Sequence, residues 1–177
     1  MNTISRPKPD EYFEYYGLYI QRAVTRSDVI AALSTQIEEM KANLGSLTDQ
    51  QALFRDAPGE WSIKEVLGHM IDSERVFSWR LLCISRNDPN SLPGFEQDDY
   101  VREAGFDAYP FQDLLDEFEH VRRANILAIR NMRDELADRR GTASGHPVSA
   151  RALIHILVGH VDHHMESLRE KYLPALK

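Results

Sequence analysis

An all-α fold, an antiparallel four-helix bundle with an aromatic N-terminal arm, is what three features of the sequence predict. Apolar residues recur at steps of three and four in four separate segments. Helix start and stop signals stand at the ends of those segments. No stretch alternates apolar with polar residues long enough to read as a strand. The length of 177 residues matches a single domain, 1–177, with enough chain to bury a sizeable core.

The first helix is expected near 27–46, where Ser27 and Asp28 precede the stripe Ile30, Leu33, Ile37, Met40 and Leu44 and Gly45 follows it. The second, near 61–86, opens on a capping box. Ser62 can cap the amide of Glu65 while the Glu65 carboxylate returns to Ser62, with Trp61 stapled onto Val66. Its stripe is Ile63, Val66, Leu67, Met70, Phe77 and Leu81. A connection through Pro89, Pro93 and Gly94 follows, too long for a simple turn and of the kind that often carries function. The third helix is expected near 111–138, with Leu115, Phe118, Ile129, Met132 and Leu136 on one face. The fourth runs near 149–172, before Pro174. Four helices about 30 Å long bury four stripes most simply as a bundle. Tyr12, Phe13, Tyr15, Tyr16 and Tyr19 precede them and suggest an arm packed over one end.

Composition narrows the function. Lys plus Arg number 21 against 28 Asp plus Glu, a net charge of -7, which argues against binding to nucleic acid or anionic membrane. Cys83 is the single cysteine, so no intrachain disulfide and no Cys-rich metal site are expected. The opening MNTISRPKPDEYFEYYG has no apolar signal-like core, and no apolar run approaches the ~18 residues of a membrane span. A cytoplasmic location is the expectation.

Polar residues inside the apolar stripes carry the chemistry, because their burial is costly unless they are paired or ligated. At about 100° per residue, His160 and His164 fall within the arc of Leu153, Leu157 and Leu168. His163 lies near the edge and His155 roughly opposite. His69 sits at the shoulder of the second helix's inward arc, one turn before Ser73. The bundle can therefore receive one histidine from the second helix and an i, i+4 pair from the fourth, a spacing suited to a shared metal. An inward histidine hydrogen-bonded to a carbonyl is the competing reading, and an HxxxH pair fixes only two ligands. Glu74 and Arg122 also interrupt apolar faces and are expected to satisfy each other as a buried structural pair, with Asn125 able to join. Cys83 falls away from its stripe and has no histidine partner. Gly-rich phosphate loops, G-x-S-x-G and HExxH are missing, so phosphoryl transfer and serine hydrolysis have no support.

The segments W-S-x-x-E-x-x-x-H from Trp61, S-E-R-x-F-x-x-R from Ser73, L-P-G-F from Leu92 and G-H-x-x-H-H from Gly159 resemble the DinB-like, or YfiT-like, family over almost the whole chain. That resemblance implies a four-helix bundle of DinB-like type with a three-histidine site, and by position its ligands are His69, His160 and His164. It also implies a small-molecule enzyme, either a metal-dependent hydrolase or a thiol S-transferase, with a divalent metal as cofactor and a low-molecular-weight thiol as a second one if S-transfer is the reaction. Three neutral imidazoles leave a divalent ion an open position, as catalytic sites do; zinc suits such a site, nickel or iron is also compatible with nitrogen ligands, and zinc or nickel is the expectation. Water or a thiol could then be activated. A small-molecule substrate is the expected partner, entering beside the 89–100 connection and the tyrosine-rich arm, and a homodimer is compatible. A metal-dependent binding protein without catalysis, and a bundle whose metal is structural, are the alternatives. The catalytic groups beyond the metal are unassigned.

Overall fold

The computed structural model describes residues 4–176; Met1 to Thr3 of the N-terminal segment and Lys177 lie outside the described residues. The α-helices are α1 (Gly17–Ala23), α2 (Val29–Leu44), α3 (Ile63–Ser85), α4 (Gln97–Ala104), α5 (Phe111–Arg130) and α6 (Ala150–Ser167). A π turn, Leu168–Tyr172, extends α6. The four long helices α2, α3, α5 and α6 form the bundle.

Local chemistry sets the helix starts. The Asp28 carboxylate accepts from the amides of Ile30 and Ala31, two donors that the first turn of α2 leaves free. At α3 the Ser62 hydroxyl accepts from the Glu65 amide at 3.0 Å while the Glu65 carboxylate accepts from the Ser62 amide at 2.8 Å, the reciprocal capping box.

Packing neighbours give the topology. α2 and α3 each pack against both α5 and α6. One apolar cluster joins Leu33 of α2, Phe77 and Ile84 of α3, Ile129 of α5 and Leu153 of α6. A second joins Met40, Leu67, Phe111 and Met165 of the same four helices. Hence α2 and α6 run one way and α3 and α5 the other, and each helix has one parallel and one antiparallel neighbour. The 87–110 connection therefore returns the chain along the length of the bundle, which is why it is long.

Between and after the long helices, three details differ from the sequence expectations, besides the placement of the arm and of His155. The connection is not irregular throughout: it contains α4, closed by Gly105 at φ 65°, a left-handed cap that glycine adopts without strain. Helix α5 ends at Arg130 rather than near 138, and Leu136 is buried from a 3₁₀ turn, Asp134–Leu136, instead. Residues 133–138 carry one large apolar side chain, so a further helical turn there would bury little. Two strands also form, β1 (Arg140–Ala143) and β2 (His146–Ser149), an antiparallel hairpin turning through Ser144 at φ 53° and Gly145 at φ 79°. Four residues per strand are too few for alternation to register; the Ser-Gly pair was the available signal. Leu92 bonds to this hairpin through Thr142 and Ser144, anchoring the connection.

The arm lies along the flank of α6 rather than over an end. Gly159 makes this possible: a Cβ there would sit 1.8 Å from the Tyr19 carbonyl oxygen. Beyond it, Arg22 pairs with Glu166 at 2.5 Å, and Arg26 with Asp162 at 2.7 Å. No helix among the described residues is long and apolar enough to cross a membrane.

Candidate metal centre

Helices α3 and α6 pack against each other, and three histidines meet between them. The Nε2 atom of His160 lies 3.1 Å from Nε2 of His69 and 3.1 Å from Nε2 of His164. All three side chains offer a nitrogen within 4.8 Å of the others. His69 and His160 are buried and His164 is partly buried. Burial pushes the His69 imidazole down to about 4, and burial with the neighbouring histidines holds His160 and His164 well below the usual value. All three are neutral at pH 7.

Hydrogen bonding among them is an incomplete solution. A neutral imidazole has one N–H and one lone pair, and the single Nε2 of His160 faces two others. A divalent cation accepts three lone pairs at once. Nitrogens each ~2.1 Å from a tetrahedral ion stand roughly 3.4 Å apart, close to the two 3.1 Å separations around His160. The residues present therefore fit a metal ion.

Aromatic rings hold the imidazoles in place. Trp61 lies 4.8 Å from His69 between ring centres; Tyr19 and Phe77 lie 5.3 and 5.6 Å from His160, edge to face. Burial raises the Tyr19 hydroxyl far above its ordinary pKa, so it remains protonated. Each inner histidine also follows a glycine that admits a close neighbour: a Cβ on Gly68 would meet the Phe106 ring at 2.3 Å, as one on Gly159 would meet Tyr19.

The remaining histidines of α6 differ. His155 was expected to face outward, yet it is 2% exposed. Residues Ala152–Val161 are buried without a break because the N-terminal arm covers the back of α6. His155 bonds through Nδ1 to the Arg151 carbonyl at 2.9 Å and stands apart from the cluster. His163 packs on Tyr19 at the edge. Cys83 is a partly buried free thiol whose pKa burial raises.

Behind the histidines a polar layer separates the two apolar clusters. Arg122 donates to Glu74 Oε2 at 2.7 Å, to Gln36 Oε1 at 2.7 Å and to the Leu157 carbonyl at 3.2 Å. One guanidinium thus ties α5 to α3, α2 and α6. Asn125 fills Glu74 Oε1 at 2.7 Å. Gln36, which the sequence reading passed over, donates onward to the Val158 carbonyl and to Asp162, each at 2.8 Å. Its signal was available, since it interrupts the stripe between Leu33 and Met40. The layer fixes the turn of α6 that leads into His160.

In front of the histidines lies a pocket of about 320 Å³ that His69 and His160 line. Its walls come from the arm, through Tyr16 and Tyr19, and from the connection, through Phe95, Glu96 and Asp98. Ser73, one turn after His69, also lines it; its hydroxyl is buried without a hydrogen-bond partner.

A sequence model of the DinB superfamily matches residues 19–168. Among solved structures the chain is similar to YfiT from Bacillus subtilis, described as a probable metal-dependent hydrolase with an unusual four-helix bundle topology. The TM-score is 0.71 at 16% identity, covering 94% of this chain and 92% of that one. At that identity the likeness concerns the fold. No curated protein matches the sequence significantly.

Proposed function

The chain belongs to the DinB superfamily, and from that premise we propose that it is a metalloenzyme in which His69, His160 and His164 hold one divalent ion. Zinc or nickel is the best match to three imidazoles, and the substrate is a small electrophile bound in the adjoining pocket. The observation that carries this reading is the meeting of three imidazole Nε2 atoms beside a pocket that His69 and His160 line. When bound, such an ion would supply Lewis acidity, so that a low-molecular-weight thiol or water could act as a nucleophile near neutral pH.

The chain's own residues do the rest. Burial keeps the imidazoles unprotonated and so available as ligands. Trp61 packs on the His69 ring and Tyr19 and Phe77 pack on the His160 ring, which restricts how those imidazoles can turn. Glu74 is no free base, because both its oxygens accept bonds from Arg122 and Asn125. That engagement is also what favours the second reading, a binding protein without turnover. Metal analysis of untagged protein, followed by a screen of thiols and water against small electrophiles, separates the two. Turnover that follows metal occupancy and survives Cys83→Ser supports the enzyme; full activity without metal overturns it. A loaded protein that turns nothing over is the binding protein.

A further inference from the structure

The mouth and floor of the pocket differ in charge and in hydrogen bonding. At the mouth, Glu96 and Asp98 are exposed and neither takes part in a salt bridge among the described residues. No Lys or Arg lines the pocket. Tyr15 and Tyr16 from the arm and Phe95 from the connection also line the pocket, and aromatic rings attract cations as carboxylates do. At the floor, the Ser73 hydroxyl is 1% exposed and has no partner. Ser78 on the same helix bonds back to the Glu74 carbonyl four residues earlier at 2.5 Å, the usual resort of a helical serine, but Ser73 does not. An orphaned buried hydroxyl is costly, and one that lines a cavity is free to bond a polar group that enters it.

We infer that the pocket selects a small molecule bearing a cationic, ammonium-type group, which Glu96 and Asp98 hold at the mouth while Ser73 hydrogen-bonds the end that lies beside the histidines. This rests on the proposed metal site for the inner end and on the pocket alone for the outer. An acidic mouth over a floor that would turn cationic once the proposed ion is bound would sort ligands by the direction of their dipole. A neutral analogue loses the outer contact, and an anionic one is repelled there.

Cobalt-loaded protein, titrated by its visible absorption with 2-aminoethanethiol, 2-mercaptoethanol and 3-mercaptopropionate, tests this. The three thiols differ in tail charge. Their unequal thiol acidities cancel when each affinity is divided by that measured in the Glu96→Gln, Asp98→Asn double variant. The wild-type protein should prefer the ammonium thiol over the neutral one about 5- to 10-fold more than the double variant does, and salt should shrink the difference. Ser73→Ala should weaken all three probes about 5-fold and leave their order unchanged. An identical order and spacing in wild type and double variant overturns the inference, as does tightest binding of the carboxylate thiol. Benzylamine and benzyl alcohol, titrated into metal-free protein and followed by the Tyr16 and Tyr19 NMR resonances, read the mouth independently. An amine preference lost in the double variant upholds the inference even if cobalt fails to load, an outcome that would instead refute the metal site. Equal response to both probes overturns it.

Discussion

His155 and His160 sit five residues apart on α6, both buried, and their chemistry is opposite. The first spends its Nδ1 on a carbonyl of its own helix. The second presents Nε2 to two other imidazoles. His160→Ala should therefore abolish stoichiometric zinc or nickel in elemental analysis, whereas His155→Ala should keep it; equal metal content in the two variants would remove the assignment. Arg122 makes the same point for stability. Its guanidinium is fully buried against Glu74, so Arg122→Ala leaves an uncompensated carboxylate and should cost about 3 to 5 kcal/mol in urea unfolding. An Arg122→Met, Glu74→Leu double variant should recover much of that loss, since it removes the stranded charge as well. Helical phase was enough to single out His69, His160, His164, Glu74 and Arg122 as inward polar residues. It misjudged His155, because phase describes one apolar arc and α6 is covered on two sides.

At the scale of elements, the contact of α1 with α6 depends on one missing side chain. Alanine in place of glycine inside a helix ordinarily stabilises it by up to about 1 kcal/mol. At Gly159 the added Cβ would strike the Tyr19 backbone, so Gly159→Ala should instead destabilise by roughly 1 to 3 kcal/mol and shift the Tyr19 and His160 resonances together. A stabilised variant with unmoved resonances would show that α1 does not pack as described. The starts of α2 and α3 were readable because their caps are local: Asp28 and Ser62 bond within three residues of themselves. The end of α5, helix α4 and the hairpin were not. Their placement depends on the path the chain takes back along the bundle and on pairing with Leu92, a partner some 50 residues from the hairpin.

For the molecule as a whole, the arm is pinned by a second charged cluster away from the histidines. Glu11 is fully buried and accepts from Ser149 at 2.8 Å and from the Arg151 guanidinium, which together hold its carboxyl down at about 2 from an ordinary 4.5. A depressed folded pKa means stability that is complete above the unfolded value and disappears as pH falls through the folded one. Unfolding free energy should thus fall by about 3 kcal/mol between pH ~4.5 and ~2 from this group. The buried histidines act in the same sense higher up: the unfolded chain takes up their protons below about 6.5, so metal-free protein should begin to lose stability there. Glu11→Gln should remove the lower step of the pH profile and leave the upper one; a profile unchanged by the substitution would contradict the role given to Glu11. By itself the sequence determined an all-helical chain, the four stripes to be buried and the polar residues that interrupt them, since these follow from periodicities of a few residues. Only the tertiary structure decided which helices are neighbours, that the arm flanks α6 beside the histidines, that one guanidinium joins four helices, and that Ser73 faces a pocket without a partner. Those are meetings between residues up to about 140 positions apart, and no local spacing encodes them.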